Sequence, residues 1–142
     1  MNKLFIILFF LAFTTVVFSQ ETNTNDHPID LKCKQCLAAD SSHTTLGMIK
    51  CEIAAAQDWD LELNKYYKLL MNILSPDEKD KLKSSQVQWL KYRDSEKLFS
   101  QTLYNNMQGT MWRIVSASRW TEIIKKRALE LQDYYETLNL NK

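Results

Sequence analysis

The sequence predicts an all-α protein: an elongated antiparallel bundle of three long helices, with a short N-terminal segment tethered by a disulfide. Only two glycines and two prolines occur in 142 residues, and strands joined by tight turns need more of both. Apolar residues recur at spacings of three and four in three stretches, which is the period of one helix face. Helices of roughly 28–32 residues would each be about 42–48 Å long at 1.5 Å per residue.

The first long helix is predicted from about Thr45 to Leu74. The run Asp40–Thr45 at its start is rich in residues that cap helix N-termini. Apolar side chains then follow one another on a single face of the helix. This stripe consists of Met48, Cys51, Ala55, Trp59, Leu63, Tyr66, Tyr67, Leu70 and Leu74.

The second helix is predicted from about Pro76 to Met107, because a complete start signal precedes it. Ser75 can cap the helix, Pro76 suits its first position, and Glu78 completes a capping box three residues after the cap. The side chains that lie roughly along one side are Leu82, Gln86, Trp89, Arg93, Leu98 or Phe99, and Leu103.

A third helix is predicted after Gly109, which interrupts the periodic pattern. Thr110 can cap this helix. Its apolar face consists of Trp112, Val115, Trp120, Ile124, Ala128, Leu131, Tyr135 and Leu138.

Residues 1–19 are predicted to be a signal peptide. One charge, Lys3, precedes an apolar run of roughly 14 residues, and small residues three and one positions before Gln20 suit signal peptidase. The run is too short to span a bilayer as a mature helix. We therefore expect an exported protein, periplasmic or secreted, that is not inserted in a membrane after cleavage. Residues 20–32 are then expected to be a flexible lead-in, within which a short helix or turn can start at Pro28.

The charge of the mature chain argues against nucleic acid as a partner. Loss of Lys3 with the leader would leave 17 basic and 17 acidic residues. Nucleic-acid binders usually carry a basic excess or stripe, and the sequence shows neither. A polybasic patch for a membrane surface is also missing from the sequence.

Three cysteines remain after cleavage, which allows one intramolecular disulfide and one spare thiol. Cys33 and Cys36 form a C-x-x-C, which in a thioredoxin-like setting would be a redox pair, but no βαβ pattern surrounds them. We favour a structural bridge between Cys36 and Cys51, which closes a loop of about 15 residues and would contribute roughly 3 kcal/mol. Cys33 would then be free or would cross-link two molecules.

The sequence offers little support for catalysis, and we expect no catalytic residue, metal ion or cofactor. The two histidines, His27 and His43, lie in polar segments, and no metal-binding motif or glycine-rich phosphate loop is present. Asp58 and Asp60 could be an acid/base pair by type, but they differ by about 200° around a helix. A general acid or base must first be positioned, so we expect a non-enzymatic protein.

A polar and aromatic seam is predicted between the first two helices. The first helix presents such side chains at i, i+4 and i+7, and the second presents them at i, i+3 and i+7. We expect the two sets to meet across the tight turn and to hold the helices in register, with a ligand site as the alternative. A buried Arg93 would then need a carboxylate or carbonyl partner. The residues are Asp60, Asn64, Tyr67, Gln86, Trp89 and Arg93.

The same residues carry a family resemblance. The pattern that continues from the first helix into the second resembles the LprI-type lysozyme inhibitor N-terminal domain, and the similarity extends over residues 33–135. This pattern is Cys51, Trp59-Asp60-x-x-Leu63-Asn64-x-x-Tyr67-x-x-Leu70 and Leu82-x-x-x-Gln86-x-x-Trp89-x-x-x-Arg93-Asp94, then Gly109-Thr110-Met111, Arg127 and Leu131.

The resemblance implies a helical, exported and often disulfide-bonded domain, here residues 33–142, with lysozyme inhibition as the activity associated with the family. It assigns Trp59 and Asp94 to the seam together with the six residues above. The chain departs from many relatives at Lys97, where they have a cysteine four positions after the arginine, and it lacks the lipid-anchor cysteine of some relatives.

We therefore expect an exported non-enzymatic binding protein whose partner is a lysozyme-like wall hydrolase. Inhibition would occur by occlusion, with an exposed loop entering the hydrolase cleft. Three loops are candidates, at Asp40–Thr45, Ser75–Asp77 and Asn105–Thr110. The alternative is a structural or adaptor module of the cell envelope that acts through protein–protein contacts, with Cys33 as a cross-link.

Overall fold

The computed structural model describes residues 26–140, and all of its regular elements are helices. Helix α1 spans Pro28–Ala38, a single 3₁₀ turn spans Asp40–Ser42, and α2 spans Thr45–Ile73. Helix α3 spans Pro76–Asn105 and α4 spans Met111–Leu140. The all-α class is confirmed, whereas the count of three helices is wrong, because the N-terminal segment forms a fourth.

The helix boundaries follow the capping signals in the sequence. The hydroxyl of Thr44 accepts a hydrogen bond of 3.0 Å from the backbone N–H of Gly47 and so caps α2. The backbone N–H of Ser75 donates to the carboxylate of Glu78 at 2.8 Å in the predicted capping box of α3. Gly109, with φ of 99°, supplies the left-handed backbone of the turn into α4.

The core forms between α2 and α4, which run parallel to each other. The hydroxyl of Thr121 donates to the carbonyl oxygen of Glu52 at 2.9 Å. About four turns further along both helices, the ring centre of Tyr66 lies 5.9 Å from that of Tyr135. The two predicted apolar stripes therefore meet face to face. The buried cluster consists of Ala56, Trp59, Leu63, Tyr66, Leu70, Ile124, Ala128 and Leu131.

Helix α3 returns antiparallel along α4 and makes no comparably close packing with α2. The rings of Tyr104 and Trp112 stack at 5.9 Å where the two helices meet. Ser100 is the buried residue of α3, whereas Leu98 and Phe99, expected on its inner side, are exposed. The middle of α3 is thus held at the edge of the bundle rather than in its core.

Helix α1 lies antiparallel on α2. It begins at Pro28, where the sequence predicts that a short helix or turn can start, so residues 28–32 of the predicted lead-in are helical. The disulfide between Cys36 and Cys51 is present, with 5.7 Å between the Cα atoms, and Lys32 forms an ion pair with Asp58 at 2.7 Å. The predicted signal peptide and the first residues of the lead-in lie outside the described residues.

Gly47 marks a close approach between the 3₁₀ turn and the start of α2. A Cβ atom at this position would lie 2.6 Å from the backbone oxygen of Ser41 and 2.7 Å from the Cα atom of Ser42. Only glycine leaves room for this close approach of the two backbone segments. Between residues 26 and 140, no helix has both the length and the apolar character needed to cross a membrane.

Candidate functional site

An open groove runs between α2 and α3, because α3 rests on α4. It widens into two depressions of about 460 and 610 Å³, which share Asp60 and Arg93. The structure therefore brings most of the predicted seam residues to one place but leaves space between them. Those on the groove are Asp60, Asn64, Tyr67, Gln86, Trp89, Arg93 and Asp94, whereas Trp59 is fully buried in the core.

The polar side chains of the groove do not bond to one another across it. The amide of Asn64 donates to the backbone oxygen of Asp60 at 2.7 Å and to its carboxylate at 3.0 Å, both within α2. Gln86 accepts a hydrogen bond from α4 instead, from the guanidinium of Arg127 at 3.1 Å. In the described chain, the expected network that joins the first two long helices is thus replaced by contacts within α2 and between α3 and α4.

Arg93 lies against aromatic rings at the junction of the two depressions. Its guanidinium carbon is 5.4 Å from the ring centre of Trp89 and 5.5 Å from that of Trp120. The charged group pairs with the neighbouring Asp94 at 2.8 Å, and the side chains of Arg93 and Asp94 are 21% and 63% exposed. Arg93 is therefore partly exposed, and its carboxylate partner is a solvated neighbour on α3 rather than a residue of α2.

Arg127 is the buried arginine of the bundle, and its role was missed at the sequence level. It is 6% exposed, and its guanidinium donates to Gln86 at 3.1 Å, to the hydroxyl of Ser85 at 3.1 Å and to the carboxylate of Glu130 at 2.7 Å. These bonds fix the register of α3 on α4. The spacing of Arg127 and Glu130, three residues apart beside the apolar face of α4, is the signal that could have identified it.

A second polar cluster lies where α1 covers the core. The rings of His27 and Trp59 are 4.3 Å apart, and the ammonium group of Lys125 lies 5.7 Å from the Trp59 ring. Lys125 pairs with Asp30 at 2.9 Å. Burial acts to lower the pKa of Lys125, but the hydrogen bond and the charge of Asp30 outweigh it and raise the pKa.

Cys33 carries the free thiol and lies beside the disulfide. Its sulfur is 3.9 Å from the carbonyl oxygen of Cys51. Partial burial raises the pKa of the thiol, and the carboxylates of Glu52 and Asp30 raise it further. Because Cys36 is bridged to Cys51, the C-x-x-C pair is not a disulfide in this structure.

Two of the three candidate loops meet at one end of the bundle. The hydroxyl of Thr45 donates to that of Thr110 at 3.2 Å, which places the start of α2 beside the turn between α3 and α4. We call this end the loop tip and define it as residues 40–46 and 105–113. The third loop, at Ser75, lies at the far end of α2 and therefore at the opposite end of the bundle.

The loop tip contains a shallow depression of about 520 Å³. The exposed Arg113 forms part of its wall, beside Tyr104 and Thr110. Across residues 26–140, no three histidine, cysteine, aspartate or glutamate side chains group in a way that could hold a metal ion.

Comparison with known proteins agrees with the family resemblance. A family model described as "Lysozyme inhibitor LprI" matches residues 36–131. No curated protein matches the chain. A crystal structure of an uncharacterized protein from Burkholderia thailandensis is similar, at 31% sequence identity and a TM-score of 0.74. The match covers 79% of this chain and 55% of that chain, so the present chain spans about half the length of that protein.

Proposed function

Because the chain belongs to the lysozyme inhibitor LprI family, we propose that it is an exported, non-enzymatic binding protein that inhibits a lysozyme-like wall hydrolase. The match over residues 36–131 carries this proposal, since it includes the end of α1, all of α2 and α3, and most of α4. The leader-like residues 1–19 are the reason to propose export.

The architecture suits inhibition by occlusion. The α2–α4 core and the Cys36–Cys51 bridge make a stiff body, and stiffness lowers the entropy cost of binding. Wall hydrolases of this kind cleave glycans with two carboxylates in an open cleft, which a protruding loop can fill. The loops at the two ends of the bundle are the places that protrude.

A wall-lysis assay tests the proposed function. Lysis of bacterial walls by purified lysozymes of several types is measured with and without the mature, disulfide-bonded protein. We expect lysis by at least one type to be suppressed as the protein is titrated in. A lack of suppression for every lysozyme at excess protein would rule out the inhibitor function.

An adaptor role in the envelope is the second candidate, and one observation favours it. Apolar side chains remain exposed along the α2–α3 groove after the bundle has closed, namely Ile53, Leu61, Val87 and Leu90. Such a strip can pack against another protein. Capture of one envelope protein in a pull-down, lost on Leu61→Ser, together with no effect on any lysozyme, would favour this candidate.

A further inference from the structure

We infer that the loop tip, which includes Arg113, is the surface that enters the carboxylate-bearing cleft of the hydrolase. The inference rests on the proposed inhibitor function and adds to it the contacting surface and the chemistry of the contact. Of the three candidate loops, the two that form the loop tip would therefore contact the hydrolase, and the turn at Ser75 would not.

The first argument is the distribution of charge. Residues 41–51 and 97–121, which lie in and next to the loop tip, contain no aspartate or glutamate, and Asp40 is the acidic residue of the loop tip. The same residues contain four cations, Lys50, Lys97, Arg113 and Arg119. Although the whole chain has almost no net charge, positive charge is therefore in excess at this end of the bundle. A cleft that holds two carboxylates is the complementary surface, and complementary potentials steer association and orient the partners.

The second argument is the position of Arg113. It lies in the first turn of α4, is exposed, and pairs with no carboxylate in the described chain. The acidic residue of the loop tip, Asp40, lies 3.9 Å from the imidazole of His43. Arg113 is therefore free to donate to a carboxylate of another molecule, in the bidentate geometry that arginine favours.

The loop tip also exposes apolar surface. Leu46 and Met111 are both 62% exposed, and Met107 is also exposed. These side chains stand beside a turn that the stacked Tyr104 and Trp112 hold in place. Methionine and arginine are both enriched in protein interfaces relative to the rest of the surface, so the loop tip has the composition of a contact surface.

Charge reversal tests the inference with a matched control. Arg113→Glu places a carboxylate in the first turn of α4, where the helix dipole tolerates it. Lys81→Glu makes the same change in α3 at the opposite end of the bundle. Inhibition is measured on soluble wall fragments, and circular dichroism confirms the fold of each variant. We expect Arg113→Glu to raise the inhibition constant by about tenfold or more, and Lys81→Glu to leave it unchanged.

The outcomes separate the two proposals. If the unaltered protein inhibits and Arg113→Glu inhibits equally well, the inference is overturned and the proposed function stands. If the unaltered protein inhibits no lysozyme, the proposed function is overturned and the inference with it.

A membrane is the other surface that a cationic and apolar tip could meet. If Arg113→Glu abolishes sedimentation with vesicles of anionic phospholipid but leaves inhibition intact, the tip is a lipid contact and the inference is overturned. Loss of inhibition on soluble fragments, where lipid is absent, supports it.

Discussion

Two arginines illustrate why residue type and spacing alone do not assign a role. Arg93 and Arg127 both belong to the family pattern, and both sit beside aromatic or amide side chains of the bundle. The first lies on a groove and pairs with a solvated neighbour, whereas the second is buried with three hydrogen-bond partners. Burial depends on which helix is the neighbour, and helical period does not specify that.

Arg127→Ala should destabilise the fold by about 2–3 kcal/mol, because it removes a buried guanidinium together with its charge-assisted hydrogen bonds to Gln86 and Ser85, which join α3 to α4. Urea unfolding followed by circular dichroism measures the change. Arg93→Ala is the control and should cost about 1 kcal/mol or less, since its ion pair with Asp94 is exposed and its ring contacts are modest. An equal loss in the two variants would contradict the assigned roles.

The thiol of Cys33 provides a test of local charge. Its pKa is raised by partial burial and then by the carboxylates of Glu52 and Asp30, so less of the reactive thiolate is present at mildly alkaline pH. Glu52→Gln removes one negative charge, lowers the thiol pKa and should speed alkylation by iodoacetamide at pH 8. Glu62→Gln, further along α2, should leave the rate unchanged. A rate unaffected by Glu52→Gln would show that burial alone protects the thiol.

At the scale of elements, capping signals and apolar stripes predicted three of the four helices to within a few residues. The stripes of α2 and α4 succeeded because each is wide, continuous and buried against the other. The pattern in α3 was misleading, since that helix touches the bundle with few side chains and Leu98 and Phe99 face solvent. Helix α1 has no buried residue, so it left no apolar stripe in the sequence.

The disulfide should control whether α1 stays docked. The remaining contacts include the exposed ion pair between Lys32 and Asp58, which contributes about 0–1 kcal/mol, and the partly buried ion pair between Asp30 and Lys125. Replacing Cys36 and Cys51 together by serine should cost about 3 kcal/mol and should speed amide hydrogen exchange throughout α1. Cys33→Ser is the control and should change neither. Retained protection of α1 in the double variant would show that its side chains suffice to hold it.

At the scale of the whole molecule, the sequence predicted the fold class, the disulfide and the family, but not how the helices are arranged. Proximity in sequence suggested that the first two long helices share a seam, yet the parallel pair α2 and α4 forms the core. The seam residues therefore line an open groove. The contact between the two loops at Thr45 and Thr110 also follows from that arrangement, and no local sequence pattern predicts it.

The same arrangement of helices distributes the charges of a near-neutral chain unevenly between the two ends of the bundle. Residues 41–51 and 97–121 are distant in sequence and contain no aspartate or glutamate. They lie at the same end of the bundle because α2 and α4 are parallel and α3 connects the end of α2 to the start of α4. A binding protein that occludes a charged cleft needs this separation more than it needs a net charge. We therefore propose that one end of a rigid bundle occludes the cleft of a hydrolase.

Steady-state kinetics of a susceptible lysozyme on soluble wall fragments test this claim most directly. Occlusion makes the protein compete with the glycan, so we predict that KM rises with inhibitor concentration while kcat stays constant. A fall in kcat at unchanged KM, or no effect at excess protein, would contradict the claim.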